Sequence, residues 1–388
     1  KGFTNTPGEG TPYDQKRINI LKRIADHTWS VNPSAYVILE HFCENSEEKE
    51  LSNYGMMVWG NMNNSYAQCS MGYSNDSNIS GVVASNRGWN ESNLVGYMES
   101  HDEERLMYKN IRWGNSFTGY STQNLSTALD RIELAATFFL PLSGPKMIWQ
   151  FGELGYDVSI DYNGRVGDKP IRWEYFQDLN RRQLFDVYAG LARFKQLQPV
   201  RDGNFEYSIA GLLKSVHISH VDMNSVILGN FDVVEKYIVA NFHHTSTWYD
   251  YFTGNAVDVS STQQALLLSP GEYHIFTDTL LQKPFITAID EKQEQPQEFI
   301  LYGNFPNPFN ASTQIHFQLP ESSHVSINIY NVQGQKIKEL VDSQFAAGRH
   351  NILWDGLDAQ SQASSTGVYF YKVVASGRSF SDKMLILR

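Results

Sequence analysis

Apolar positions in the first half of the chain recur at two spacings that alternate. Ile18, Leu21, Ala25 and Thr28 fall on one face of a helix. Thr11-Pro12-Tyr13-Asp14 ahead of them offers an N-cap, a proline for the first helical position and an acid for the first turn. Residues 35–41 then form a short apolar run, the pattern of a buried parallel strand. Residues 54–61, 94–100 and 145–151 read as three further strands. Between and after them, Ala128, Ile132, Ala135 and Phe139, and then Leu184, Tyr188, Leu191 and Lys195, mark helices. Strand and helix in alternation predict an α/β unit with a parallel sheet over residues 1–197.

The rhythm changes after Gln198-Pro199. Short strands are predicted at 212–218, 226–231, 237–242, 265–268 and 273–277, without helical periodicity. Residues 198–280 are therefore read as an all-β domain. Residues 281–298 include a polar stretch without packing residues and read as a linker. In residues 299–388 strict alternation returns: Val325, Ile327 and Ile329 face one way, Ser326, Asn328 and Tyr330 the other. Glycines punctuate the segment, and an Ig-like β-sandwich is predicted.

The chain has 388 residues, enough for two to three domains at about 150 residues each. Its net charge of −11 excludes nucleic-acid binding through a global positive field. No run reaches the roughly 20 apolar residues of a membrane span. Aromatics at 13% suit either large β-cores or stacking of flat, weakly charged ligands such as sugars. Cys43 and Cys69 have no metal-site spacing and are read as free buried thiols, with one disulfide left open.

Two acids stand out at strand ends: Glu40 closes the 35–41 run, and Asp102 follows the 94–100 run. The C-terminal ends of parallel barrel strands are where active sites form. Paired carboxylates there suit glycoside cleavage, and a carboxyl beside an apolar strand is poised to donate a proton. Trp59, Asn61, Asn63, Tyr54, Phe42 and Trp149 sit near predicted strand ends and are candidates for sugar contacts. Glu103-Glu104-Arg105 reads as a solvated helix start.

Ile38-Leu39-Glu40-His41 and Ser100-His101-Asp102 resemble two signature regions of the α-amylase superfamily, glycoside hydrolase family 13. GPKMIWQFGE, residues 144–153, resembles that family's last barrel strand. The resemblance covers residues 1 to about 280 and implies the second half of a (β/α)8 barrel, strands five to eight, with its following β-domain. It implies Glu40 as general acid/base, Asp102 as stabiliser of the oxocarbenium-like transition state and His101 as a donor to the same sugar. Lys1-Gly2-Phe3 resembles the residues just after the family's aspartate nucleophile, which makes Lys1 a substrate-binding position, alongside Phe42 and Trp59. The nucleophile and strands one to four are then expected upstream of Lys1, so that this chain is a fragment with little activity alone. Unpaired parallel edges are expected to make residues 1–197 aggregate or sample loosely packed states. Calcium is common in the family, but its usual ligands are expected in the upstream part.

LYGNFPNPFN at 301–310, Trp354-Asp355-Gly356, GVYFY at 367–371 and KMLILR at 383–388 resemble the C-terminal sorting domain of the bacterial type IX secretion system. That implies the secretion machinery as a partner and a secreted or cell-surface location. A starch-binding module displaying Trp354 and Tyr369 to Tyr371, or an Ig-like spacer, are the rival readings. The implied activity is retaining hydrolysis of α-1,4-glucans such as starch. The alternatives are a transglycosylase or branching enzyme on the same scaffold, or a non-catalytic glucan-binding surface protein.

Overall fold

The computed structural model describes residues 12–286 and 299–387, except 306, 311, 346, 347 and 376. Lys1 lies outside them, as do residues 287–298 of the expected linker. The chain forms two compact units, Lys1–Ile289 and Asp290–Arg388.

The first unit opens with helix α1 (Gln15–Val31), strand β1 (Ile38–Leu39), α2 (Asn45–Asn53), β2 (Met57–Asn61) and α3 (Asn63–Met71). It continues with β3 (Leu94–Tyr97), α4 (Leu106–Trp113), the hairpin of β4 (Ser116–Phe117) and β5 (Tyr120–Ser121), α5 (Leu125–Thr137), β6 (Lys146–Met147), α6 (Leu179–Gln196) and α7 (Gln198–Asp202). Strands β1-β2-β3-β6 pair in that order, all parallel. Parallel pairing brings every strand's C-terminal end to one rim, so residues far apart in sequence meet there.

Three local expectations change. The cap of α1 is Asp14 rather than Thr11: its carboxylate accepts from the backbone N–H of Lys16 at 2.8 Å and of Arg17 at 3.3 Å. The strand expected over 35–41 shortens to two residues, and Ile38 is 51% exposed. Among the described residues β1 pairs only with β2, so one of its edges carries no covering strand. The chain does not leave helix at Gln198-Pro199; α7 begins there, with proline in its first turn, where its missing N–H costs nothing.

The all-β part holds β7 (Asn204–Ser208), β8 (Leu213–Ser219), β9 (Ser225–Asn230), β10 (Lys236–Val239), β11 (Ser246–Asp250), β12 (Ala256–Val259), β13 (Ala265–Leu268) and β14 (Tyr273–Thr277). Six of these form an antiparallel sheet, β12-β11-β14-β9-β8-β7, while β10 pairs with β13. The helical layer and this sheet share one core, in which Tyr66, Phe138 and Leu184 pack with Val216, Ile227 and Ile275. Gly229 is where the layers come closest: a Cβ there would stand 2.4 Å from the Phe138 ring. Buried Arg131 of α5 donates to the carbonyls of Cys69, Ser70, Phe231 and Asp232 at 2.5–3.1 Å. Buried Lys214 of β8 likewise donates to those of Ser77, Ile209 and Gly211 at 2.6–2.9 Å. Cations taken out of water need such partners, and here main-chain oxygens supply them.

The second unit contains β15 (Ile300–Phe305), β16 (Thr313–Leu319), β17 (Ser323–Asn331), β18 (Lys336–Phe345), β19 (Gly348–Trp354), β20 (Gly367–Ala375) and β21 (Arg378–Ile386). They form two antiparallel sheets, β15-β16-β19 and β18-β17-β20-β21. Val325, Ile327 and Ile329 are fully buried, as the alternation predicts. Of the aromatics weighed for starch binding only Phe370 is exposed: Trp354, Tyr369 and Tyr371 are core residues, and the Trp354 indole N–H donates to Leu357 O at 2.9 Å. Cys43 and Cys69 are both buried and free, and no helix among the described residues is long and apolar enough to cross a membrane.

Candidate active site

β1 ends at Leu39, so Glu40 is the first residue past the strand. Its neighbour His41 turns inward and is buried, with Nε2 2.9 Å from the Glu47 carboxylate. Burial alone would raise the Glu47 carboxyl, but hydrogen bonds from Arg17 and His41 outweigh it and hold the group below the usual carboxylate range. The Arg17 contacts are two, both at 2.6 Å. Burial holds His41 below the ordinary histidine range, despite Glu47. The fixed inward residue aims the outward one: Glu40 faces the rim.

β3 ends at Tyr97, and residues 99–105 turn sharply toward α4. The turn is pinned from inside. The Glu99 carboxylate accepts the Leu106 N–H at 2.6 Å, serving as the cap that Arg105 at the N-cap position does not supply. Buried Arg105 donates to Ser100 O, and the Ser100 hydroxyl donates to Glu103. The Asp102 N–H donates to Ser100 Oγ at 3.2 Å. His101 and Asp102 are left outermost.

These two elements bring the expected chemistry together. His101 Nε2 stands 3.8 Å from Glu40 Oε1 and 3.7 Å from Asp102 Oδ1. One polar atom from each of Glu40, His101 and Asp102 lies within 4.8 Å of the others. The separations exceed a hydrogen bond, so a hydroxyl between them has acceptors and a donor within reach. The His101 ring is flanked by Trp59 at 6.2 Å and Trp149 at 5.9 Å. The Glu40 side chain is 46% exposed, not sunk against apolar residues as the strand pattern suggested.

The other sequence candidates separate. Trp59 flanks the cluster and also lines, with Phe42, an adjoining cleft of about 400 Å³. Asn61 donates to Glu103 at 2.6 Å, and Asn63 is buried, donating to Met98 O and Glu104 O. Tyr54 follows α2 at the opposite end of β2, where its hydroxyl donates to Asp26 at 2.8 Å, so it is not at the rim.

Glu103-Glu104 is not a solvated helix start. The Glu104 carboxylate accepts from the Ser159 hydroxyl at 2.7 Å and the Ile160 N–H at 2.9 Å, holding the loop after β6 against this turn. From that loop, Arg165 donates to Asp102 O. Glu104 and Arg165 were missed because neither sits in an apolar pattern; only the run of acids after His101 marked the place.

Beside this cluster, a second group of three possible metal ligands comprises His41, Cys43 and Glu47. It does not suit a cation, because the Arg17 guanidinium already occupies both Glu47 oxygens. Burial, first among its causes, pushes the Cys43 thiol up to about 12, far from a thiolate ligand at neutral pH.

Residues 306–379 match the family model described as the FlgD Ig-like domain. No curated protein matches the chain. Among solved structures, it is similar to an α-amylase from Anoxybacillus at 12% identity, over 67% of this chain and 56% of that one, with a TM-score of 0.50. An α-amylase from Geobacillus thermoleovorans, solved with acarbose, matches at 13% identity over 69% and 59%, TM-score 0.50. CldA, a cyclomaltodextrin glucanotransferase, matches at 14% over 70% and 57%, TM-score 0.53. The chain thus spans 56% to 59% of the length of these solved chains. Together the matches place its larger part in the fold of α-amylases and cyclomaltodextrin glucanotransferases, and its C-terminal part among Ig-like domains.

Proposed function

We propose that the chain carries the acid/base side of a retaining α-glucan hydrolase of the α-amylase type. The observation that carries this reading is the meeting of Glu40, His101 and Asp102 at one rim of a parallel sheet, their polar atoms within 4.8 Å. Glu40 protonates the leaving oxygen and later activates water; Asp102 holds sugar hydroxyls and steadies positive charge on the ring; His101 donates to the same sugar. Trp59 and Phe42 offer flat faces to neighbouring glucosyl units, and Lys1 a positive charge. Strands β1, β2, β3 and β6 are strands five to eight of a (β/α)8 barrel in this reading. The solved relatives with acarbose or maltose bound make an α-1,4-glucan the first substrate to try.

The test is Glu40→Gln in the full-length protein, assayed on soluble starch by release of reducing ends. The rate should fall at least about 100-fold, the scale of a lost general acid. Unchanged turnover removes Glu40 as the acid. Absence of turnover before substitution favours the glucan-binding protein, and new linkages without reducing ends favour transfer.

The second unit is proposed as a type IX sorting domain, which makes the protein secreted or surface-held. The support is the set of C-terminal motifs on an Ig-like sandwich. Deleting residues 299–388 should leave the protein inside the producing cell, read by fractionation.

A further inference from the structure

The rim cluster keeps donor atoms in reserve. Among the described residues, the carboxylate oxygens of Glu40 and Asp102 meet no partner but His101, whose Nε2 stands 3.8 and 3.7 Å from them. The main chain of Asp102 is fixed separately: its N–H donates to Ser100 Oγ at 3.2 Å, and its carbonyl accepts from Arg165. The His101 ring is set between the indoles of Trp59 and Trp149. Two acids and one imidazole nitrogen are thus aimed at one place that solvent can reach.

That spacing suits a metal ion. Two ligand atoms about 2.1 Å from a tetrahedral zinc ion lie about 3.4 Å from each other. The distances of 3.7 and 3.8 Å exceed that by a few tenths of an ångström, and all three ligand atoms lie within 4.8 Å. Exposed side chains can close such a gap without moving the strands. Two carboxylates and a neutral imidazole balance a divalent charge. Glu103, whose oxygens accept from Asn61 and Ser100, adds a further negative charge to the same turn. The imidazole selects the class of ion: calcium and magnesium take oxygen ligands, whereas zinc, cobalt and nickel accept nitrogen. Three protein ligands leave one tetrahedral position for water. The group of His41, Cys43 and Glu47 differs in the decisive respect. There a guanidinium fills both carboxylate oxygens, while at the rim Arg165 is spent on the Asp102 carbonyl.

We propose that Glu40, His101 and Asp102 form a reversible site for one divalent ion of the zinc class, and that the seated ion closes the rim to sugar. The ion takes the lone pairs that would meet a glucosyl unit, so ion and sugar weaken each other by the same factor. The closing of the rim rests on the α-glucan reading; the binding of the ion does not.

The test is a titration of the full 388-residue chain with zinc chloride, followed by the imidazole NMR signals of its 11 histidines. The His101 signals should shift saturably with one ion per chain. His101→Asn should weaken that binding at least about tenfold, the scale of lost metal-site contacts. Asp102→Asn should do the same and stands in should His101→Asn fail to fold. Cys43→Ser should leave the affinity unchanged, and calcium or magnesium chloride should leave the His101 signals in place. Silent His101 signals, shifts confined to other histidines, full affinity in both rim variants, or an equal response to calcium would each overturn the site. In the full-length protein, zinc at the concentration that saturates His101 should suppress starch turnover. Zinc bound at His101 with turnover unchanged sinks the assignment of Glu40 as the acid and leaves the ion site standing.

Discussion

The rim of the parallel sheet and the seam between helices and β-sheet use charge in opposite ways. At the rim, Glu40, His101 and Asp102 approach one another at 3.7–3.8 Å with side chains about half exposed. At the seam, Arg131 and Lys214 are buried and each is ringed by carbonyl oxygens at 2.5–3.1 Å. The first set is left with hydrogen-bonding capacity to spare; the second spends nearly all of its donors on main-chain oxygens. Side chains that hold the fold together are closed to ligands, and side chains open to ligands contribute little to holding the fold.

The sharpest way to break the contrast is at Arg131. Arg131→Met should cost about 4 kcal/mol, from several buried carbonyls each losing roughly 1 kcal/mol or more. Chemical denaturation of the chain measures it, and a loss below about 1 kcal/mol would make the seam no different from the rim.

Glu133 on α5 comes next. It is buried, accepts from Gln183 at 3.1 Å and Tyr273 at 2.9 Å, and burial raises its carboxyl to about 8. A carboxyl raised in the folded state contributes its full share below the unfolded value near 4.5. That share is lost as pH climbs to about 8. Wild type should therefore weaken relative to Glu133→Gln between those two pH values, by a few kcal/mol at most. Parallel melting curves of the two proteins across that window would contradict the burial argument.

Gly229→Ala should cost about 2 kcal/mol, because its methyl would press on Phe138 and Leu134 at 2.4 and 2.6 Å. A neutral melt would mean the two layers can slide apart. Smallest of all, Glu40→Gln at the rim should change stability by less than about 0.5 kcal/mol. A large loss there would show the acid to be a structural anchor.

Legibility in the sequence followed the same division. The strands β2, β3 and β6 and the helices α5 and α6 were readable because apolar spacing alone determines their burial. The helices α2, α3 and α4 were not. In α2, Asn45–Asn53, the buried positions are Glu47, Glu48, Leu51 and Ser52. There a run of charged residues forms an inward face, because Arg17, His41 and the Cys43 N–H meet it from other elements. The Glu40–Asp102 pair was legible through its motifs. The contacts of Glu104 and Arg165 join segments 55 to 63 residues apart, and beyond the run of acids after His101 nothing local announces them. In the second unit, Trp354, which only a rival reading displayed to a glucan, is buried in the core.

The grip of Arg131 has a consequence for how this chain can vary. All four of its acceptors are main-chain carbonyls, at Cys69, Ser70, Phe231 and Asp232. Every amino acid supplies a carbonyl, so the acceptor side of the lock survives substitution of its residues as long as the backbone path persists. One arginine thus carries the identity requirement for both partners. Libraries that randomise the half-buried side chain at 232 should retain the joint, while those that randomise 131 should lose it.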